Sequence, residues 1–422
     1  MIKTASSLVG VDVTEELPIG RRVAYWRQRR TMSQQVFADR IGKSKSWVDK
    51  IERGVRRLDK FSVLHDIADV LQVDVQLLLG RDPERSPDTA NCVDQVEVED
   101  IRQALERYER LGTLFEAAPI EPIPLDDLAK SVNHAWMTFE SANYAALARS
   151  LINLLKLGPA VEEESDERDR PKAANLLSQV YQIASSVLRK LGEPQLAWLA
   201  ADRAISAAQR GDDPLLIGTA TTRVANALRS LGRSRAALDL NVQVAQKILS
   251  QGGPHPSDAT YSVHGALLLQ GSMAAAHCGD LPTARELLRS ADQIAARVGE
   301  GHNHYRTSFG PTNVALHRAA AAVELGEGRM AINTHISIDP EAFQRLVPER
   351  RAHHYLDVAR GYNQVGNLAE AGRLLVEASR IAPLEIRCRP IAHQVISDVL
   401  RRSRGAAPAL LISMAEELRL AA

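Results

Sequence analysis

The chain has 422 residues, 45% apolar, 25% charged and only 4% aromatic. At roughly 150 residues per domain this accommodates two or three domains, and a core so poor in aromatics belongs to close-packed helices, not to β-sandwich strands. Three cysteines (Cys92, Cys278, Cys388) with no CxxC pair exclude a disulfide framework and fit a reducing, cytoplasmic setting. Fifty-two basic residues balance fifty-two acidic ones overall, yet residues 19–60 hold thirteen basic against four acidic, an excess of nine that the rest must cancel. A polyanion partner is expected for that stretch alone.

The first sixteen residues include Asp12, Glu15 and Glu16 and lack a sustained apolar run, unlike a secretory leader. A first helix is predicted over 19–31, with Ile19, Val23 and Trp26 at helical spacing and arginines on the outer face. Ser33 caps a second helix over 34–41, in which Phe37, Ala38 and Ile41 point inward. Gly42 permits a tight turn, Ser44 caps a third helix over 45–53 with Val48 and Ile51 on its apolar side, and Gly54 stops it. A fourth helix over 60–72 buries Leu64, Ile67, Ala68 and Leu71, and Val75, Leu78 and Leu79 close a five-helix bundle. Two short helices joined across a glycine form a helix-turn-helix.

The string Ser33-Gln34-Gln35, Phe37-Ala38, Ile41-Gly42, Ser44-Lys45-Ser46, Val48, Ile51-Glu52-Arg53-Gly54 resembles the XRE (phage-repressor-like) family of DNA-binding domains. The resemblance implies that the third helix enters the major groove, so that Lys45, Ser46 and Lys50 face bases. It also implies that Gln34 clamps a phosphate and that Lys43, Arg56, Arg57 and Lys60 touch the phosphate backbone. Ser44 and Trp47 belong to the same surface. Trp47 stands where the family usually carries a small residue; it either packs on the sugar-phosphate backbone or shields the bundle. Asp49 puts a negative charge near the groove, and Glu52–Arg53 is a structural cap and ion pair.

Residues 80–100, with Pro83, Pro87 and several Asp, are predicted to be a flexible connection, and 162–170 an exposed polar loop. The uncharged stretch 259–279, broken by His264, Gln270 and several Gly, is a buried helix and not a membrane span. From residue 101 helical patterns alternate with glycine turns. Gly192, Gly232, Gly279, Gly326 and Gly366 are separated by 40, 47, 47 and 40 residues. Five positions beyond each stands an alanine (Ala197, Ala237, Ala284, Ala331, Ala371), and seven before each stands Ser185, Ala225, Ser272, Ala319 or Ala359. Twelve beyond stand Ala204, Val244, Ala291, Ile338 and Ala378. Small residues at these offsets let two antiparallel helices approach closely across a turn. The pattern resembles tetratricopeptide (TPR) repeats, with spacings longer than the roughly 34 residues typical of them. Helices over 101–115, 125–139 and 143–158 extend the array, and segments from 391 and 408 cap it. The resemblance implies a superhelix with a concave face suited to a peptide or protein helix.

Polar residues expected on that face include Asn175, Tyr181, Arg223, Asn226, His264, Asn313, His317, Tyr355 and Asn363. Arg223, Asn226 and Asn313, on central repeats, are the preferred ligand contacts, since an Asn amide can both donate to and accept from a peptide backbone. Neither His302/His304 nor His353-His354 has a carboxylate and cysteine set at metal-ligand spacing, so these histidines are taken as solvated or capping, and Cys278 as a small core residue. No nucleotide-binding loop or nucleophile elbow occurs.

The expected fold is all-α: an N-terminal five-helix helix-turn-helix bundle (17–80), a linker (81–100) and a TPR-like helical repeat domain (101–422). The expected role is that of a non-enzymatic, cytoplasmic, homodimeric transcriptional regulator without cofactor, metal or membrane partner. It binds a double-stranded DNA operator and senses a peptide, small-molecule or protein signal. The alternative is a protein-interaction adaptor or antitoxin-like protein localised to DNA.

Overall fold

A computed structural model describes residues 19–29, 32–55, 61–71, 93, 95–106, 120–403, 407–418 and 420. They contain twenty-one α-helices, one 3-10 turn and no strand, in two compact units, Met1–Asn91 and Cys92–Ala422.

In the first unit, α1 (Ile19–Arg29), α2 (Gln34–Arg40), α3 (Lys45–Glu52) and α4 (Phe61–Leu71) lie close to the predicted spans. Both serine caps form: the Ser33 hydroxyl accepts from Val36 N and the Ser44 hydroxyl from Trp47 N, each at 3.2 Å. The two turns need glycine, with Gly42 at φ +62° and Gly54 at φ +73°. Val23, Phe37, Ala38, Val48, Ile67, Ala68 and Leu71 make the core. Gly20 lets α1 and α3 touch, because a Cβ there would lie 1.9 Å from the Ile51 carbonyl oxygen. Two helix-1 arginines do not face outward as expected. Arg22 and Arg27 are buried, and Arg27 is held there by Glu52. Leu64's side chain and Val75, Leu78 and Leu79, expected to complete the bundle, lie outside the described residues.

The second unit begins with α5 (Gln95–Glu106), which starts inside the stretch expected to be flexible. Then come α6 (Leu125–Glu140) and α7 (Tyr144–Glu164). Helix α7 passes through Pro159 and shortens the predicted loop, because Leu154, Leu155 and Val161 on its buried face anchor both sides of the missing N–H. Five hairpins carry the turn glycines: α8 (Arg170–Lys190) with α9 (Pro194–Ala208), α10 (Pro214–Ser230) with α11 (Ser234–Gln251), α12 (Asp258–His277) with α13 (Leu281–Val298), α14 (Pro311–Glu324) with α15 (Gly328–Ile336), and α17 (Pro348–Gln364) with α18 (Leu368–Ile381). Short α16 (Pro340–Arg345) and α19 (Pro383–Arg387), then α20 (Pro390–Ser403) and α21 (Ala409–Glu417), complete the unit. No described helix is long and apolar enough to cross a membrane.

Each turn glycine has φ between +71° and +84°, and the residue after it donates back to the helix end, as Glu193 N does to Leu188 O at 2.9 Å. Every alanine at the +5 offset is fully buried, and every small residue at −7 is at most 3% exposed. The +12 offset fails at Ile338, which lies past the end of the short helix α15. A sixth hairpin, α6 with α7, uses the same turn with Ala142 at φ +57° in the glycine's place. Cys278, expected in the core, is exposed because it is the C-cap of α12 and points off the packed face.

The array does not remain an open superhelix. One hydrophobic cluster joins Leu128, Leu147 and Val187 from its first helices to Ala359, Leu374 and Val399 from its last. Fully buried Tyr144 on α7 donates to Glu385 on α19. The first and last helices thus close on each other, and the concave face becomes the wall of a cavity.

Candidate functional site

The first candidate surface is the outer face of α3. Val48 and Ile51 turn into the core, leaving Lys45, Ser46 and Lys50 exposed, with Lys43 and Ser44 exposed just before them. Trp47 is half-buried and packs against the bundle core. Asp49 is paired with Arg53 at 3.4 Å, which offsets its charge near the face. Glu52 and Arg53 do not pair with each other. The Glu52 carboxylate takes both Arg27 Nε (2.6 Å) and Nη2 (3.0 Å), plus the Gln34 amide at 2.8 Å. One of the two Gln34 amide hydrogens is thus committed inside the domain. Arg56, Arg57 and Lys60 lie outside the described residues.

The second candidate is a cavity of about 340 Å³ in the repeat unit, at the lower end of small-molecule sites. It brings together Arg223 and Asn226 of α10, Asn313 and His317 of α14, and Trp136 of α6. Asn175 lines a separate cavity of about 250 Å³. Tyr181, His264, Tyr355 and Asn363 line neither. His264 bonds the Ala245 carbonyl and Asn363 donates to Asp398, so both are structural.

The wall carries eight cationic side chains against four carboxylates, with Glu385 behind it. Lys190 donates to Glu349 at 2.5 Å and to Glu385, and Arg389 donates to Glu385 at 2.6 Å. Arg360 meets Glu324 (2.8 Å) and Asp357 (3.4 Å), and Arg306 meets Glu140 at 3.5 Å. Despite the burial of Glu385, Lys190 and Arg389 hold its carboxyl down at about 2. Among the described residues Arg189, Arg223 and Arg229 have no carboxylate at ion-pair distance. Burial pulls the Arg223 and Arg229 guanidinium values down to about 10, helped in both by the charge of Arg189; both remain cationic at neutral pH. Arg223 lies 5.7 Å from the Trp136 ring centroid, over its face. On this wall, Arg223 Nε, Arg229 Nη1, Asn313 Oδ1, Gln270 Oε1 and His354 Nδ1 are buried without a hydrogen-bond partner.

Of the adjacent histidines expected to be solvated or capping, His354 is buried and His353 is half-buried between carboxylates. His353 stands between Glu349 and Asp357, one helical turn away on either side, at 3.6 and 3.7 Å. His354 is 2% exposed and bonds His335 at 3.0 Å. Glu349, His353 and Glu385 converge closely enough to hold a metal ion, but the Lys190 ammonium already bridges the two carboxylates. Residues 302–310 border both cavities. Tyr305, Arg306 and Ser308 have φ of +51°, +58° and +47°, with Tyr305 donating to Asp213 at 2.7 Å and Asn303 to Glu140 at 3.1 Å. The basic wall escaped prediction except at Arg223. Its one sequence signal is that Arg189 and Arg229 each stand three residues before a turn glycine.

An all-α chain with a capped, glycine-turned helix pair ahead of an array of helical hairpins is thereby defined. Residues 18–79 match the family model described as "Helix-turn-helix domain", and the N-terminal unit is such a domain. A search of curated protein sequences returns no match. Among solved structures, the chain is similar to Bacillus thuringiensis PlcR in complex with the peptide PapR7 and DNA, at 14% identity and TM-score 0.33, covering 83% of this chain and 98% of that one. It is also similar to aspartyl phosphate phosphatase F from Bacillus subtilis (12%, TM-score 0.43, 89% and 96%) and to ComR from Streptococcus suis (13%, TM-score 0.21, 86% and 95%).

Proposed function

We propose that the chain is a sequence-specific DNA-binding transcriptional regulator whose helical-hairpin unit dimerises and senses a signal. The carrying observation is α3: its buried side is tied to the bundle through Val48, Ile51 and Glu52, while Lys45, Ser46 and Lys50 stand free in solvent on a domain of the helix-turn-helix family. Lysine ammonium groups at that height can donate to guanine O6 and N7, and a serine hydroxyl can serve several bases. Two such helices reading one near-palindromic site about 34 Å apart require a dimer. A signal alters DNA affinity only by binding two conformations of the repeat unit unequally, and the cavity provides the place.

The test selects a preferred site from a random duplex pool with the full chain, then compares Lys45→Ala/Lys50→Ala by gel shift. The variant is expected to lose the preference and keep salt-sensitive, sequence-independent binding. Unchanged site choice refutes the assignment of α3, and failure of the parent chain to bind duplex DNA at low ionic strength refutes the whole reading.

A further inference from the structure

We infer that the repeat-unit cavity binds a small organic polyanion, with Arg189, Arg223 and Arg229 as its counter-charges. The inference rests on the sensing role proposed above and specifies the chemistry of the signal.

Every carboxylate on or behind the wall already has a cationic partner, the eighth cation, Arg350, meets Glu349 at 3.7 Å, and the three arginines are the charges left over. The charge of Arg189 acts against both Arg223 and Arg229 on a half-buried wall, which raises the free energy of the empty protein. Such an arrangement persists in natural proteins where a ligand's charge offsets it. The orphaned atoms agree. Arg223 Nε and Arg229 Nη1 are donors without acceptors, which is the demand that phosphate or carboxylate oxygens meet in the planar fork geometry of arginine. Asn313, 2% exposed, leaves Oδ1 unpartnered on the same wall while its amide donates to the Thr307 carbonyl, so the ligand also presents a donor such as a hydroxyl. Met273, Leu316 and Ile391 supply apolar surface between the polar groups, which suits an organic body. A volume of about 340 Å³ fits a metabolite-sized molecule.

The experiment is isothermal titration calorimetry of the full chain with inorganic pyrophosphate and with citrate, at ionic strength matched with chloride. It is repeated on Arg223→Met/Arg229→Met and on Arg189→Gln, with folding checked by circular dichroism. Saturable binding of pyrophosphate alone identifies a phosphoryl ligand, of citrate alone a polycarboxylate, and of both a site that reads charge. In each case the variants are expected to weaken binding by at least about tenfold, as for loss of a charge-assisted contact. Without any anion Arg223→Met/Arg229→Met is expected to melt at a higher temperature than the parent, which an arginine pair of purely structural value would not do. No saturable binding of either probe at millimolar concentration, or equal binding by parent and folded variants, overturns the inference. Gel shifts on the same samples keep the two readings apart: anion binding without DNA binding sinks the regulator role only, and DNA binding without anion binding sinks this inference only.

Discussion

Glu52→Ala tests how the recognition helix is held. Glu52 sits at the C-terminal end of α3 and Arg27 on α1, with side chains only 6% and 9% exposed. The carboxylate receives two guanidinium bonds at 2.6 and 3.0 Å and the Gln34 amide at 2.8 Å. Removing it strands a buried arginine, whose remaining bond among the described residues is to the Met32 carbonyl at 2.6 Å. Breaking one side of such a pair costs about 3–5 kcal/mol, against roughly 0–1 for the exposed Arg53–Asp49 pair. That is a large share of the roughly 5–15 kcal/mol that stabilises a typical domain. Hydrogen-exchange mass spectrometry on the full chain reads the loss directly. Peptides from α1 to α3 are expected to exchange about two to nearly four orders of magnitude faster, with peptides from the repeat unit unchanged as the internal control. Arg27→Met/Glu52→Leu, which replaces both charges with apolar groups, recovers most of the protection. An acceleration below about tenfold in Glu52→Ala, or a double variant no better than the single, refutes the claim that this pair ties α3 to α1.

Two further predictions concern the repeat unit. Burial lowers the His354 value from 6.5 to about 3, so between those values the unfolded chain holds a proton that the folded chain lacks, and stability falls as the pH drops through that window. The slope from this residue is about 1.4 kcal/mol per pH unit; urea midpoints followed by circular dichroism are expected to fall less steeply below pH 6.5 in His354→Phe, and equal slopes would contradict the assignment. Gly265→Ala would place a Cβ 2.0 Å from the Phe309 ring, an overpacking worth about 1–3 kcal/mol and several degrees of melting temperature. Adding Phe309→Leu is expected to restore part of the loss; strictly additive effects would show that the two do not meet.

Local chemistry was legible in the residues. Ser33 and Ser44 cap their helices, and Gly42, Gly54 and the five turn glycines take the left-handed conformation that marks them. The alanines five beyond each turn are buried because a hairpin has no room for more there. These signals are short-range, and a period or a cap needs nothing from the rest of the chain. Where a local signal was weak or ambiguous the reading erred. Ala142 occupies a glycine's turn without announcing it, and an acidic run after Pro159 conceals the end of a helix. Arg27 reads as a surface charge until its partner, twenty-five positions away, is known.

Sequence alone therefore determined that the chain is helical, where its helix-turn-helix lies, which face of α3 is polar, and that hairpins recur behind it. Tertiary structure decided that the array closes. Tyr144 reaches Glu385 across 241 positions and Lys190 reaches Glu349 across 159, and no local pattern encodes such pairings. That closure turns an expected open groove into a walled cavity. It also decides which arginines find carboxylates and which three do not, because the charge that counts at a buried site is the local sum in space and not the balance along the chain.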